Sequence, residues 1–269
     1  MKQTLNKLIK VSIILFLYIL IQGFVVTIFA TTISPEANGD TQHAMELLLS
    51  TKSSLVSIVQ NFLMISLLLV YRSSSADAKK ELPLNPMFLK EQGLCIVVGL
   101  CAAIIVSLAL SLLPFPEQLI LSYNISAEQI FTGSHMGRFF SIVVLAPIAE
   151  ELIFRGVIYG SLKNNSQRHV AAVLSCILFG LLHWDPIWII YAFLMGLSLT
   201  LTLEAYDSLL APILLHMSFN FTGTYIMPNI NGTSIFLIII LMIAAGSCII
   251  RCIAYIKTHR DAHRTEVKR

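Results

Sequence analysis

Long apolar stretches separated by short polar ones set the period of this chain. Eight apolar runs can be marked: Val11–Ala30, Ser53–Tyr71, Gly93–Leu113, Phe139–Gly160, Val170–Trp184, Ile187–Leu203, Ser208–Ile226 and Ser234–Ile256. A spanning helix needs about 20 mostly apolar residues, whereas strand spans show about ten alternating ones. The runs are continuous and rich in Leu and Ile, and a backbone in hydrocarbon must satisfy its own hydrogen bonds, so they predict helices. The expected fold class is all-α: a polytopic membrane protein of about eight transmembrane helices with a polar intramembrane cavity. The fifth run is short, about 22 Å of helix, and only Asp185-Pro186 separates it from the sixth. This pair is expected as a short helix followed by a span, or as a re-entrant pair.

Composition sharpens the class. Of 269 residues, 56% are hydrophobic and 12% charged, against about 25% charged in an ordinary soluble domain. A soluble globular enzyme, a disordered chain and a nucleic-acid binder with a basic groove are excluded; the partners expected are the lipid bilayer and a hydrophobic substrate. The five cysteines, Cys95, Cys101, Cys176, Cys248 and Cys252, all fall in apolar runs and none has CxxC spacing, as expected of small buried hydrophobes.

Charge then sets orientation. Lys2, Lys7 and Lys10 precede the first run, whose apolar stretch is longer than the h-region of a signal peptide, so it is expected as a retained anchor. Arg72, Lys79, Lys80 and Lys90, then Lys163 and Arg168, then the tail from Lys257 to Arg269 hold most of the remaining basic residues. Acids such as Glu117, Glu128 and Asp185 occupy the alternate loops. By the positive-inside rule both termini are cytoplasmic and the span count is even, in a multi-pass cell-membrane protein.

Charges inside an apolar run are costly and mark function by default. The fourth run places Glu150, Glu151 and Arg155 near its middle. Glu151 and Arg155 stand i,i+4 with the acid first, the favourable order for an ion pair. Glu150 lies about 100° round the helix from Glu151 and is left without a partner on its own helix, as suits a general base. Pro147, three residues earlier, loosens the helix and makes room for water. The fifth run ends Phe179-Gly-Leu-Leu-His183, and the seventh carries His216 and Asn220 on one face. A carboxylate, two imidazoles and an amide are the groups that activate water and stabilise an oxyanion. No Ser or Cys is paired with a His as a nucleophile. Two readings of the water fit the residues: activation by Glu150 with His183, or a zinc ion or other divalent metal held by Glu150, His183 and His216.

These residues resemble the motifs of the CPBP family, the CAAX proteases and bacteriocin-processing enzymes also called the Abi family. Its pattern, EExxxR, then FxxxH, then HxxxN on successive transmembrane helices, stands here as Glu150-Glu151-Leu-Ile-Phe-Arg155, Phe179-Gly-Leu-Leu-His183 and His216-Met-Ser-Phe-Asn220. The resemblance covers residues 137–226. It implies an intramembrane endopeptidase similar to the Ras-converting CAAX endopeptidases. Glu150 and His183 then activate water, His216 and Asn220 form an oxyanion site, and Glu151, Arg155 and Phe179 support them. The family is widely labelled as metalloproteases, and a metal-free glutamate mechanism has also been put forward for it. Bacterial members mature or export peptides, confer bacteriocin immunity or regulate surface proteins, which implies a short hydrophobic peptide or membrane-protein substrate. The chain is accordingly divided into N-terminal spans (1–136), a catalytic core (137–226) and a last span with a basic tail (227–269). The first three spans and the last carry no diagnostic residues. The rival readings are a non-catalytic membrane scaffold or immunity protein with the same fold, and a small transporter.

Overall fold

The computed structural model describes residues 2–36, 38, 40–130, 134–163, 168–230, 243 and 246. The regular elements among them are helical. They are α1 (Lys2–Ile33), α2 (Thr41–Ser74), α3 (Ala76–Glu81), α4 (Leu89–Leu112), α5 (Glu117–Ile130), α6 (135–162), α7 (Arg168–Leu181), α8 (Pro186–Tyr206) and α9 (Leu210–Phe221). A wider stretch over Thr222–Ile226 and a tight turn over Met227–Ile230 prolong α9. Segments Leu5–Ile33, Thr41–Ser74, Leu89–Leu112 and Pro186–Tyr206 are long and apolar enough to cross a bilayer, and α7 is a shorter apolar helix. The chain is an all-α, multi-pass membrane protein. The eighth expected span, Ser234–Ile256, lies outside the described residues, as do Cys248 and Cys252.

Local chemistry explains the helix boundaries. Asp40 caps α2 by accepting from the backbone N–H groups of Gln42 and His43, and Ser75 caps α3 by accepting from Ala78. Such caps satisfy N–H groups that a first helical turn leaves open. Glu91 reaches back to the Phe88 N–H at the start of α4. Helices α3 and α5 occupy stretches read from sequence as loops. Both are too short to span, so a search for long apolar runs passes over them.

Contacts divide the chain into two compact units, Met1–Pro83 with Pro116–Gly196, and Leu84–Phe115 with Leu197–Arg269. In the first, α1 and α2 form an antiparallel hairpin. Val25 and Ile33 pack with Leu48 and Val56 at one end. At the other, the Lys10 ammonium lies 2.7 Å from Oε1 of Glu81 and donates to the Tyr71 hydroxyl at 2.9 Å. Gly160 of α6 abuts the Glu81 backbone, where a Cβ would come within 2.9 Å of the carbonyl oxygen.

In the second unit, α4 and α9 run parallel. The Asn85 side chain donates to the Asp207 carbonyl (2.6 Å), and the Ser208 hydroxyl donates to the Asn85 carbonyl (2.7 Å), before the two helices start. Further along, Gly99 presses against Ser218 and the Leu215 carbonyl so closely that no side chain fits.

Candidate active site

Helix α6 carries the first motif and is not a uniform α-helix. The backbone is α-helical over His135–Arg138, Ala146–Glu151 and Gly160–Leu162, and wound in wider π turns over Phe139–Leu145 and Leu152–Tyr159. At the first transition the Ala146 N–H reaches five residues back to the Ser141 carbonyl. Pro147 follows directly and has no N–H to continue an ordinary ladder, so the turn upstream opens. Wide turns of this kind recur at functional sites. In the second wide stretch the Ser175 hydroxyl, from α7, donates to the Phe154 carbonyl at 2.8 Å.

Between the two wide stretches the charges separate as the helical wheel predicts. Glu151 and Arg155 form an ion pair at 3.0 Å with neither side chain exposed. The guanidinium lies over the Phe179 ring, 4.3 Å from its centre, while its Nε and Nη2 make no hydrogen bond among the described residues. Gly196 of α8 leaves room for it, since a Cβ there would come within 3.0 Å of Nη2.

Phe179 connects this pair to His183. Its ring packs edge-on against Phe154 at 5.2 Å and against the His183 imidazole at 5.0 Å. Its carbonyl lies 3.0 Å from Nδ1 of His183. A carbonyl only accepts, so the neutral imidazole bears its proton on Nδ1 and presents the Nε2 lone pair. Glu151, Arg155, Phe179 and His183 thus form one contiguous chain of contacts within the first unit.

His183 sits just beyond the end of α7, on a turn held from both sides. Trp184 adopts the left-handed conformation at φ 61°, costly for a bulky residue. Asp185 is buried and caps α8: its Oδ1 accepts from the N–H groups of Ile187 and Trp188, and its Oδ2 from the Ser122 hydroxyl of α5. Behind it Gly180 approaches the Ile189 carbonyl, where a Cβ would come within 2.9 Å. Tyr123 packs edge-on against Trp188 at 6.0 Å, and burial pushes its phenol above the ordinary value. The fifth and sixth runs are therefore two antiparallel helices joined by a tight turn.

Glu150 lines a cavity between α6 and the α1–α2 hairpin. It is half-buried on the wall of this cavity, of about 320 Å³, opposite Tyr18 and Gln22 of α1 and Gln60 and Asn61 of α2. One expectation is corrected here. Glu150 is not without a partner, because neighbouring groups interact with it; a wheel of one helix shows nothing of what other helices bring to it. The first two spans, which carry none of the family's motif residues, supply most of this cavity's polar lining. The available signal was the spacing of Ser53, Ser57 and Gln60 on one face of an apolar run.

The third motif belongs to the second unit. His216 is buried and Asn220 half-buried on α9, i,i+4 on one face. Among the described residues no group of three or more His, Cys, Asp or Glu side chains is placed to hold a metal ion.

Comparison with known proteins gives a resemblance over part of the chain. The family model described as type II CAAX prenyl endopeptidase Rce1-like matches residues 132–222, which include all three motifs. The protein described as "Putative membrane peptidase YdiL" of Bacillus subtilis (strain 168) is 29% identical over 77 residues. That match covers 29% of this chain and 32% of the relative, so the chain spans about a third of the curated relative it matches. No solved structure gives a significant match. Both matches support the CPBP resemblance.

Proposed function

We propose that this protein is an intramembrane endopeptidase that hydrolyses a peptide bond in a hydrophobic peptide or membrane-protein substrate. The observation that carries the reading is Glu150, a carboxylate set on the wall of a partly polar cavity in an otherwise apolar bundle. In the proposed reaction Glu150 takes a proton from a water that the Nε2 lone pair of His183 orients. The resulting hydroxide attacks the scissile carbonyl carbon, and His216 and Asn220 donate hydrogen bonds to the oxyanion. Glu150 returns its proton to the leaving amine as the C–N bond breaks. The Glu151–Arg155 pair and Phe179 hold His183 in place. The catalytic residues fall in 137–226, flanked by the N-terminal spans of 1–136 and the last span and tail of 227–269. Peptide maturation, bacteriocin immunity and surface-protein regulation in a bacterium are the roles that suit such an enzyme.

The test is cleavage of a library of hydrophobic peptides, read by mass spectrometry, with purified protein in lipid nanodiscs. Loss of a general base costs about 10²–10⁴ in rate, so Glu150→Gln is expected to abolish detectable cleavage, and His216→Ala likewise, at unchanged helicity. Cleavage by Glu150→Gln at the wild-type rate overturns the reading.

A further inference from the structure

The cavity beside Glu150 has more polar structure than a reaction centre for one water requires. Tyr18 and Gln22 stand i,i+4 on α1, and Ser53, Ser57 and Gln60 stand i, i+4 and i+7 on α2, with Asn61 next to them. Both helices therefore turn a polar stripe to the same space, although each is apolar enough to lie in hydrocarbon. Gln60 and Asn61 are more than nine-tenths buried. The Gln60 side chain hydrogen-bonds to the Tyr18 hydroxyl, and Asn61 donates to Ser57 Oγ at 3.2 Å. Gln22 is exposed at the mouth. Such residues are retained within a membrane when they pair with something.

The chemistry of the lining names the ligand. A carboxamide offers both donors and an acceptor, which matches the alternating N–H and C=O groups of a peptide backbone. Glu150 is the cavity's one formal charge, so the lining selects neither a cation nor an anion away from the reaction centre. From Ser53 to Asn61 the α2 stripe covers about 12 Å at about 1.5 Å per residue, the length of three to four extended residues at about 3.3 Å each. At about 320 Å³ the space is near the lower end of the range for small-ligand sites, about 300–1,000 Å³. An extended peptide cannot enter hydrocarbon with bare backbone groups, and this wall supplies the partners that water supplies elsewhere.

We infer that the cavity is the substrate groove: it holds three to four uncharged residues of the substrate in extended form beside Glu150, with Gln22 and Gln60 binding the main chain. The inference rests on the endopeptidase reading and adds to it where, and by which atoms, the substrate is held.

The test uses full-length protein in nanodiscs and a fluorescein-labelled Leu/Ala decapeptide carrying one photoreactive benzophenone. Binding is measured by anisotropy to Glu150→Gln protein, with and without Gln22→Leu or Gln60→Met, and cleavage is measured with Glu150 intact. Each carboxamide loss is expected to weaken Kd and raise KM about three- to tenfold, the range for one hydrogen bond, with kcat within twofold and photolabelling confined to α1 and α2. An unchanged Kd and KM in variants that melt like wild type overturns the groove while leaving the endopeptidase standing. Should Gln60→Met fail to fold, the exposed Gln22→Leu decides by the same measurement. If the decapeptide binds in a Gln22-dependent way but nothing is cleaved, the groove stands and the endopeptidase reading falls.

Discussion

Arg155 is fully buried, with one carboxylate beside it. Its charge is held by Glu151 at 3.0 Å and by the Phe179 ring face, an arrangement that is costly to break from one side. Removing one partner of a buried pair strands the other charge and costs about 3–5 kcal/mol, whereas replacing both with apolar groups is often neutral. Arg155→Met is therefore expected to lower unfolding stability by about that amount, and the double variant Glu151→Gln, Arg155→Met to recover most of it, as read by denaturant unfolding in detergent. A double variant as unstable as the single one would show that the pair does more than neutralise itself. This pair was legible from i,i+4 spacing alone. The surroundings of Glu150 were not, because Tyr18, Gln22, Gln60 and Asn61 come to its cavity from two other helices.

Among the elements, the α4–α9 pairing of the second unit is tightest at Gly99. Gly99 meets the Ser218 hydroxyl and the Leu215 carbonyl, and the backbone oxygen has no rotamer by which to move aside. Small residues let helices approach in lipid, where apolar burial provides no drive between them. Gly99→Ala is expected to destabilise the protein by about 1–3 kcal/mol, the range for overpacking, with Gly23→Ala, whose Cβ meets nothing within 4 Å, as the neutral control. Equal melting temperatures for the two variants would refute the close-approach argument. Sequence passed over Gly99, since a glycine in an apolar run carries no sign of which neighbour it faces. The wide turns of α6 were foreseen only as loosening at Pro147. Their extent depends on partners such as Ser175, which comes from another helix.

For the whole molecule, pairings within each unit agree with the alternation of sides read from charge. Lys10, Tyr71 and Glu81 share one end of the first unit, as their positions before the first run, after the second and in the following basic loop require. Ser122 and Asp185, from two acidic loops, meet. Asn85 meets Asp207 and Ser208, which an even span count places on one side. We propose that the basic ends are cytoplasmic. A membrane-impermeant maleimide is expected to label Lys80→Cys only from the cytoplasmic face and Glu128→Cys only from the opposite one; the reverse pattern inverts the topology.

By itself the sequence determined the class of the protein, the long apolar helices among the described residues, the three motifs and the Glu151–Arg155 pair. Each of these follows from composition or from spacing along one helix, where neighbours three and four residues apart must touch. Only the tertiary structure decided what faces Glu150, which glycines carry helix contacts, and that α1 and α2 wall the cavity. Those are choices between helices, and inside a bilayer an outward-facing Leu and an inward-facing Leu look the same in the chain.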